Sequence, residues 1–251
     1  MGVKGVILAG GSGTRFRPLT YYIQKCMVSI GESETPILEY IIKLFKKHDI
    51  MELVLLVGYK HRQIENYFGD GSRFGVKMSY VEDAPGTKGS ANAIIHAFDV
   101  GALSPDDTLL IYYGDILCNL DLRALLDLHQ KERSLSTVVL SSDYQLPVGV
   151  GVLENKRLTG FLEKPRQDIK ACIGVLAMDG KIINHMRELY QESSKASFDL
   201  MADVIQSLVG MGENISGYIT DDFWYDVGSI ERYERLSNEV IKKELEPLLK
   251  Y

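Results

Sequence analysis

The chain of 251 residues is 45% hydrophobic and carries a formal charge of -6, from 28 Lys and Arg against 34 Asp and Glu. That is ample apolar material for one large α/β core, and the negative balance argues against a general nucleic-acid or anionic-membrane surface, so any phosphate site must be local. Cys26, Cys118 and Cys172 are odd in number and widely spaced, which suggests neither a disulfide framework nor a zinc site.

Residues 3–8 are an apolar run that predicts a strand, entered at once without a signal-peptide pattern. Val6 stands where a myristoylation motif needs Ser or Thr, and no apolar stretch approaches the ~18 residues of a membrane span, so a soluble cytoplasmic protein is expected. Gly10, Gly11 and Gly13 then fall in the loop leaving the C-terminal end of that strand, the edge at which open α/β sheets bind ligands. Such glycines let the backbone approach an anion and adopt positive φ, while successive amides and Arg15 offer donors to phosphate oxygens; a plain connecting turn is the alternative. The spacing is not a Walker loop. Nor is it the dinucleotide fingerprint, since the third glycine is missing and Pro18 interrupts the helix, which disfavours a nicotinamide-dependent oxidoreductase.

Thr35 and Pro36 predict an N-cap and first-turn proline for a helix with Ile37, Ile41, Leu44 and Phe45 on one stripe. Strands at 53–57, 76–81 and 108–113 alternate with helices at 61–68, 91–98 and 122–131. That alternation implies parallel pairing with right-handed crossovers, hence an α/β fold of the Rossmann-like three-layer α/β/α sandwich class with a mixed, mostly parallel central sheet. The rhythm changes at 136–140, 149–153, 157–162 and 171–177, strand candidates with little helix between them, which suggests a partly antiparallel patch. Helices return at 181–191 and 200–209, followed by a strand at 215–219 and a closing helix at 230–245 that Pro247 should end. With no linker, low-complexity tract or repeat, one domain over 1–251 is expected.

Asp115 follows an apolar strand and Gly114, so it should emerge at the same edge as the glycine loop; Asp226 lies in Trp224-Tyr225-Asp226-Val227-Gly228. Alone, an aspartate at a strand end is commonly a cap or turn former. Two of them are what Mg²⁺ takes when it is held by one or two carboxylates with substrate phosphates and water. Lys25 stands in a partly apolar stretch where an unpaired ammonium is costly, unless it snorkels to the surface.

Gly11-Ser12-Gly13-Thr14-Arg15, Pro18-Leu19-Thr20 and Lys25 resemble the signature of the sugar-phosphate nucleotidylyltransferases, the nucleotide-sugar pyrophosphorylases. Tyr113-Gly114-Asp115, Trp224-Tyr225-Asp226-Val227-Gly228 and Phe161-Leu162-Glu163-Lys164-Pro165 resemble three further segments of that family, so the likeness runs from Val3 to about Gly228. It implies Arg15 and Lys25 as catalytic phosphate-binding cations, Asp115 and Asp226 as Mg²⁺ ligands, and Leu8, Ala9, Gly10, Gly11, Gly13, Thr14, Glu82 and Gly89 as nucleotide contacts. It also implies Gly149, Glu163, Lys164 and Gly174 on the sugar phosphate. The corresponding division is a nucleotide-binding half at 1–135, a sugar-phosphate-binding half at 136–228 and a C-terminal helix at 229–251. About 23 residues follow Gly228, too few for the left-handed β-helix of longer relatives, so no acetyltransferase domain is expected.

The chain departs from the family pattern where Gln24 replaces the proline before the lysine, and where Cys172, Ile173 and Leu176 stand in the sugar-site strand. The segment from Glu82 to Ala91 resembles the family's base-recognition loop. A carboxylate only accepts hydrogen bonds, which suits the N1–H and N2–H₂ donors of guanine, and Gly86-Thr87-Lys88-Gly89 is similar to the G-T-A-G of mannose-1-phosphate guanylyltransferases. The expected function is Mg²⁺-dependent transfer of a nucleotidyl group from a nucleoside triphosphate to a hexose 1-phosphate, giving an NDP-sugar and pyrophosphate. GDP-mannose chemistry is favoured over dTDP- or UDP-glucose chemistry, with no nucleic-acid or membrane partner and room for a homo-oligomer. The alternative is a non-catalytic nucleotide or sugar-phosphate sensor on the same fold.

Overall fold

The computed structural model describes residues 2–142, 144–145, 148–167, 169–193 and 195–251. Its strands, in chain order, begin with Val3–Ala9 (β1), Glu52–Val57 (β2), Lys77–Glu82 (β3), Thr108–Tyr113 (β4), Ile116–Cys118 (β5) and Ser136–Ser141 (β6). Val150–Glu154 (β7), Arg157–Leu162 (β8), Ala171–Asp179 (β9), Ile215–Thr220 (β10) and Trp224–Asp226 (β11) follow. Seven of them form one sheet in the order β10-β6-β9-β4-β1-β2-β3. β1 lies parallel to β2 and β4, β3 extends the parallel block, and β6 pairs parallel with β10. Only β9 runs against its neighbours, antiparallel to both β4 and β6. The sheet is therefore mixed and mostly parallel, and β1, β2 and β4 read as near-continuous apolar runs because helices cover both faces.

Those covering layers follow from the apolar stripes. Ile37–Lys47 (α1), His61–Phe68 (α2) and Leu122–Glu132 (α4) bury Ile41, Phe45, Ile64, Phe68 and Leu125 against one face of the sheet. Ser90–Asp99 (α3), Ile182–Glu192 (α5) and Gln206–Gly210 (α6), the last entered through a π-turn at Leu200–Ile205, bury Ile94, Met186 and Leu208 against the other. Each such side chain stabilises the fold by about 1.5–3 kcal/mol relative to exposure, so the two apolar layers dominate its energetics. The result is the Rossmann-like three-layer sandwich. Among the described residues no helix is long and apolar enough to cross a membrane.

Among the described residues four two-stranded antiparallel ribbons lie outside the main sheet, and the two longest are β5 with β11 and β7 with β8. Three local expectations fail. Thr35 and Pro36 form a two-residue strand against Ser29 and Ile30, with the Thr35 hydroxyl bonded to Ser33, so α1 starts without a side-chain cap. The helix expected from 91 starts one residue earlier, at Ser90 of α3, whose hydroxyl is committed to Asp199 and Leu200. The closing helix is broken: Ile230–Arg235 (α7) ends at an extended Leu236 buried in the core, and Ser237 caps a new turn at Asn238–Val240 (α8). Pro247 sits in the first turn of a final 3₁₀ segment, Glu246–Lys250, where its missing N–H costs nothing.

Candidate active site

β1 ends at Ala9, and the chain passes through the glycine loop into a short 3₁₀ turn, Thr14–Phe16. Phe16 is fully buried against the edge of Tyr233, which pins the loop to the body of the protein. Only Gly13 uses the left-handed region, at φ 58°. Gly10 serves close approach, because a Cβ there would lie 2.6 Å from Asp83 Oδ2. A cleft of about 680 Å³ opens over this loop, and Leu8, Ala9, Gly10, Gly11, Gly13, Thr14, Arg15, Lys25, Asp115 and Gly89 all line it.

Asp115 reaches the cleft because Gly114 makes a tight turn from β4 into β5. The Gly114 N–H donates to the Leu8 carbonyl at 3.0 Å, and a Cβ at Gly114 would stand 2.9 Å from that oxygen and 2.8 Å from Cys26 Sγ. Asp226 arrives from 111 positions further along. β11 pairs with β5 so that Asp226 stands opposite Ile116, and the Val227 N–H donates to the Asp115 carbonyl at 2.9 Å. The ribbon thus brings the two acids together, Asp115 lining the cleft and Asp226 standing beside it, outside the lining itself, two residues before the cleft-lining Gly228.

Each acid meets a cation. Lys25, on the 3₁₀ turn Lys25–Met27, is almost fully buried and holds its Nζ 2.5 Å from Asp115 Oδ2. Asp226 accepts a bond from Arg232 of α7, which sequence reasoning missed. Burial and the neighbouring Asp115 charge push the Asp226 carboxyl above the usual aspartate range, against the opposing pull of Arg232, Lys25 and Arg15. Two carboxylates repelling each other beside three cations are a hard-oxygen pair suited to a divalent ion. Beside them, burial and Asp115 push the Cys26 thiol up to about 12.

Opposite the acids, the loop after β3 forms the far wall, and here the sequence expectation and the structure differ in register. Glu82 is exposed and points toward His61, 3.6 Å away, and it does not line the cleft. Asp83 does. Strand alternation explains the difference, since Asp83 continues the face of buried Val81, and applying that period to Glu82 would have found it. The Asp83 carboxyl lies over Gly10 and Gly58, where Cβ atoms would stand 2.6 and 2.2 Å from its Oδ2. No hydrogen bond to this carboxyl occurs among the described residues, and burial raises its pKa above the usual range. Gly89, at φ 99°, packs against the backbone of Phe198, whose N–H donates to the Lys88 carbonyl at 3.0 Å. The 197–199 segment therefore braces the loop from behind.

The sugar-side residues lie elsewhere. Gly149, Glu163, Lys164 and Gly174 do not line the cleft. Gly149 and Glu163 adjoin one another at the β7–β8 ribbon, where a Cβ on Gly149 would stand 3.0 Å from Glu163 Oε2, and Lys164 follows on exposed backbone. At Gly174, with φ 78° in β9, a Cβ would stand 3.3 Å from Tyr113 and Ile116, the residues on either side of the Gly114–Asp115 turn.

The profile of the nucleotidyl transferase family matches residues 4–243. The chain belongs to that family. It is 28% identical to the UTP–glucose-1-phosphate uridylyltransferase of Synechocystis over 97% of this chain and 64% of the relative. It is 30% identical to the mannose-1-phosphate guanylyltransferase of Mycobacterium tuberculosis, over 96% of this chain and 65% of that one. The chain thus spans less than two thirds of the length of these curated relatives. Against a Bacillus anthracis protein described as a glucose-1-phosphate thymidylyltransferase, solved with sucrose, the TM-score is 0.75 at 23% identity, with 96% of each chain covered. That likeness establishes the fold of this nucleotidyl transferase family member.

Proposed function

We propose that this chain transfers a nucleotidyl group from a nucleoside triphosphate to a hexose 1-phosphate. A phosphate oxygen of the sugar phosphate attacks the α-phosphorus in line, the bond from that phosphorus to the bridging oxygen breaks, and pyrophosphate leaves with the electron pair. The observation that carries the reading is the meeting of Asp115 and Asp226 beside the amide-lined glycine loop, with Lys25 and Arg15 at the same edge. Arg15 and the loop amides hold the charge of the leaving pyrophosphate, and Lys25 holds the transferring phosphate. A phosphate monoester is already a nucleophile, so no general base is required and positioning supplies much of the acceleration.

The acid pair fits Mg²⁺, which when bound neutralises and orients the α-phosphate. Asp115 and Asp226 would hold it. In that state Lys25 is free to turn from Asp115 toward phosphate oxygens. Residues 1–135 would bind the nucleotide and 136–228 the sugar phosphate, with Glu163 accepting sugar hydroxyls, Gly149 and Gly174 lying against the sugar and Lys164 pairing with the phosphate. A reducing cytosol suits the thiols, since Cys26 and Cys118 are buried and unpaired.

For the base we assign Asp83 in place of Glu82. A carboxylate without a donor among the described residues, lining the cleft, can pair with two adjacent N–H groups, and among the common bases guanine alone offers them on one edge. This supports GTP with mannose 1-phosphate as the leading substrate pair. Pyrophosphate release should be measured with five triphosphates against glucose, mannose, N-acetylglucosamine and heptose 1-phosphates in the presence and absence of Mg²⁺. Turnover strongest with GTP and dependent on Mg²⁺ is expected. Tight triphosphate binding without pyrophosphate release would instead support the sensor reading.

A further inference from the structure

The proline that precedes the lysine in the family pattern is replaced by Gln24, and its surroundings assign it a task. Gln24 is only 1% exposed. Its Nε2 donates to the Ala9 carbonyl at 2.8 Å, and its Oε1 accepts from the Cys26 N–H at 2.5 Å. Its backbone N–H donates to Gln63 Oε1 at 2.6 Å, while Gln63 Nε2 donates to the Tyr22 carbonyl at 2.8 Å. Three separate segments meet in this one side chain and its amide. They are the end of β1 from which the glycine loop departs, the turn that presents Lys25, and the first turn of α2.

A buried amide of this kind is held because an unmade bond is expensive, about 1–3 kcal/mol for each unsatisfied group. Gln24 leaves both ends of its side chain bonded, and both bonds run to atoms that set where Lys25 sits. Ala9 lines the cleft and precedes Gly10; Cys26 follows Lys25 and touches Gly114, the hinge of the Asp115 turn. Proline in this place has no N–H for Gln63 and no side chain to join Ala9 to Cys26.

We infer that Gln24, supported by Gln63, is a positioning residue that fixes the Lys25 ammonium relative to Asp115 and the glycine loop. The inference rests on the proposed transfer reaction for its kinetic consequence, but not for its geometric one. A displacement of about 1 Å at a reacting centre can cost 10²-fold in rate, so a loosened Lys25 should affect turnover more than binding of triphosphate.

The test pairs two measurements on Gln24→Leu, Gln24→Pro and the milder Gln63→Met in the full chain. Competitive acetylation followed by peptide mass spectrometry reads the accessibility of Lys25 without any turnover. Lys25 should be labelled at least ~5-fold faster in the Gln24 variants than in the wild type, with Gln63→Met between them. Steady-state kinetics on the preferred triphosphate should show kcat reduced ~10- to 100-fold while KM for the triphosphate stays within about 3-fold. Unchanged Lys25 labelling in a variant with a native thermal midpoint overturns the inference. So does a parallel loss of kcat, triphosphate affinity and thermal midpoint, which marks a role in folding alone. Absence of turnover in the wild-type protein would sink the transfer reaction and leave the labelling comparison to decide Gln24.

Discussion

Lys25 Nζ lies 2.5 Å from Asp115 Oδ2, with the lysine side chain 10% and the aspartate side chain 27% exposed. The ammonium is thereby paired where water could not solvate it fully. Removing either partner strands the other in a partly dry place. Asp115→Asn and Lys25→Met should each destabilise the protein by roughly 1.5–3 kcal/mol, and the double variant by less than their sum. Urea unfolding of the four proteins checks this; strict additivity would mean the pair is not an energetic unit. Asp115→Asn and Asp226→Asn should also reduce pyrophosphate release by about 10²–10³-fold with the far-ultraviolet circular dichroism unchanged.

Arg232 stands against Asp226 as an internal counter-ion. A divalent ion held by Asp226 would compete with it, so Arg232→Met should bind Mn²⁺ severalfold more tightly in the absence of nucleotide. Paramagnetic titration of the ligand-free protein reads this directly. Equal Mn²⁺ affinity in the two proteins would refute competition between the guanidinium and the metal.

Asp83 carries a carboxyl raised by burial and by the Glu82 charge. Below the ordinary aspartate value both folded and unfolded chains hold the proton. Between that value and the raised folded one, only the folded chain does, so this group's contribution to stability is present at low pH and is lost as pH rises through the folded pKa. Asp83→Asn should remove that part of the pH dependence of thermal unfolding. On the proposed base assignment the charged form would accept two guanine donors, so GTP affinity should increase over the same rise in pH. In Asp83→Asn it should be weak and flat; a variant that keeps wild-type preference for GTP over ATP and UTP removes the base assignment.

Three glycines in and behind the cleft wall should respond differently to alanine. Gly11→Ala meets no atom within 4 Å and should change stability by less than about 0.5 kcal/mol. Gly114→Ala drives a methyl to 2.9 Å from the Leu8 carbonyl and should cost about 1–3 kcal/mol. Gly58→Ala pushes at Asp83 and should weaken triphosphate binding. Chemical denaturation and calorimetry on the three variants separate these cases.

The fold class was legible in the sequence, and so was the position of the two aspartates at strand ends, because both signals are local. Period-two and 3.6-residue patterns set the layers; Asp115 follows an apolar strand and Gly114, and Asp226 ends a short strand two residues before Gly228. The break at Leu236 was not legible, since the apolar stripe continues across it and only the burial of Leu236 against the body forces the kink. Asp83 could have been read from strand parity. Gln24, Arg232 and the brace at 197–199 could not, because each acts on a partner brought close by the tertiary fold.

The β5–β11 ribbon has a consequence for biosynthesis. A polypeptide made from its N-terminus completes the glycine loop, Lys25 and Asp115 well before Asp226 leaves the ribosome, 111 residues later. Until that late segment docks on β5 the nascent chain owns only one of the two acids. If the proposed transfer needs both, a partly synthesised chain would lack that chemistry until the ribbon forms.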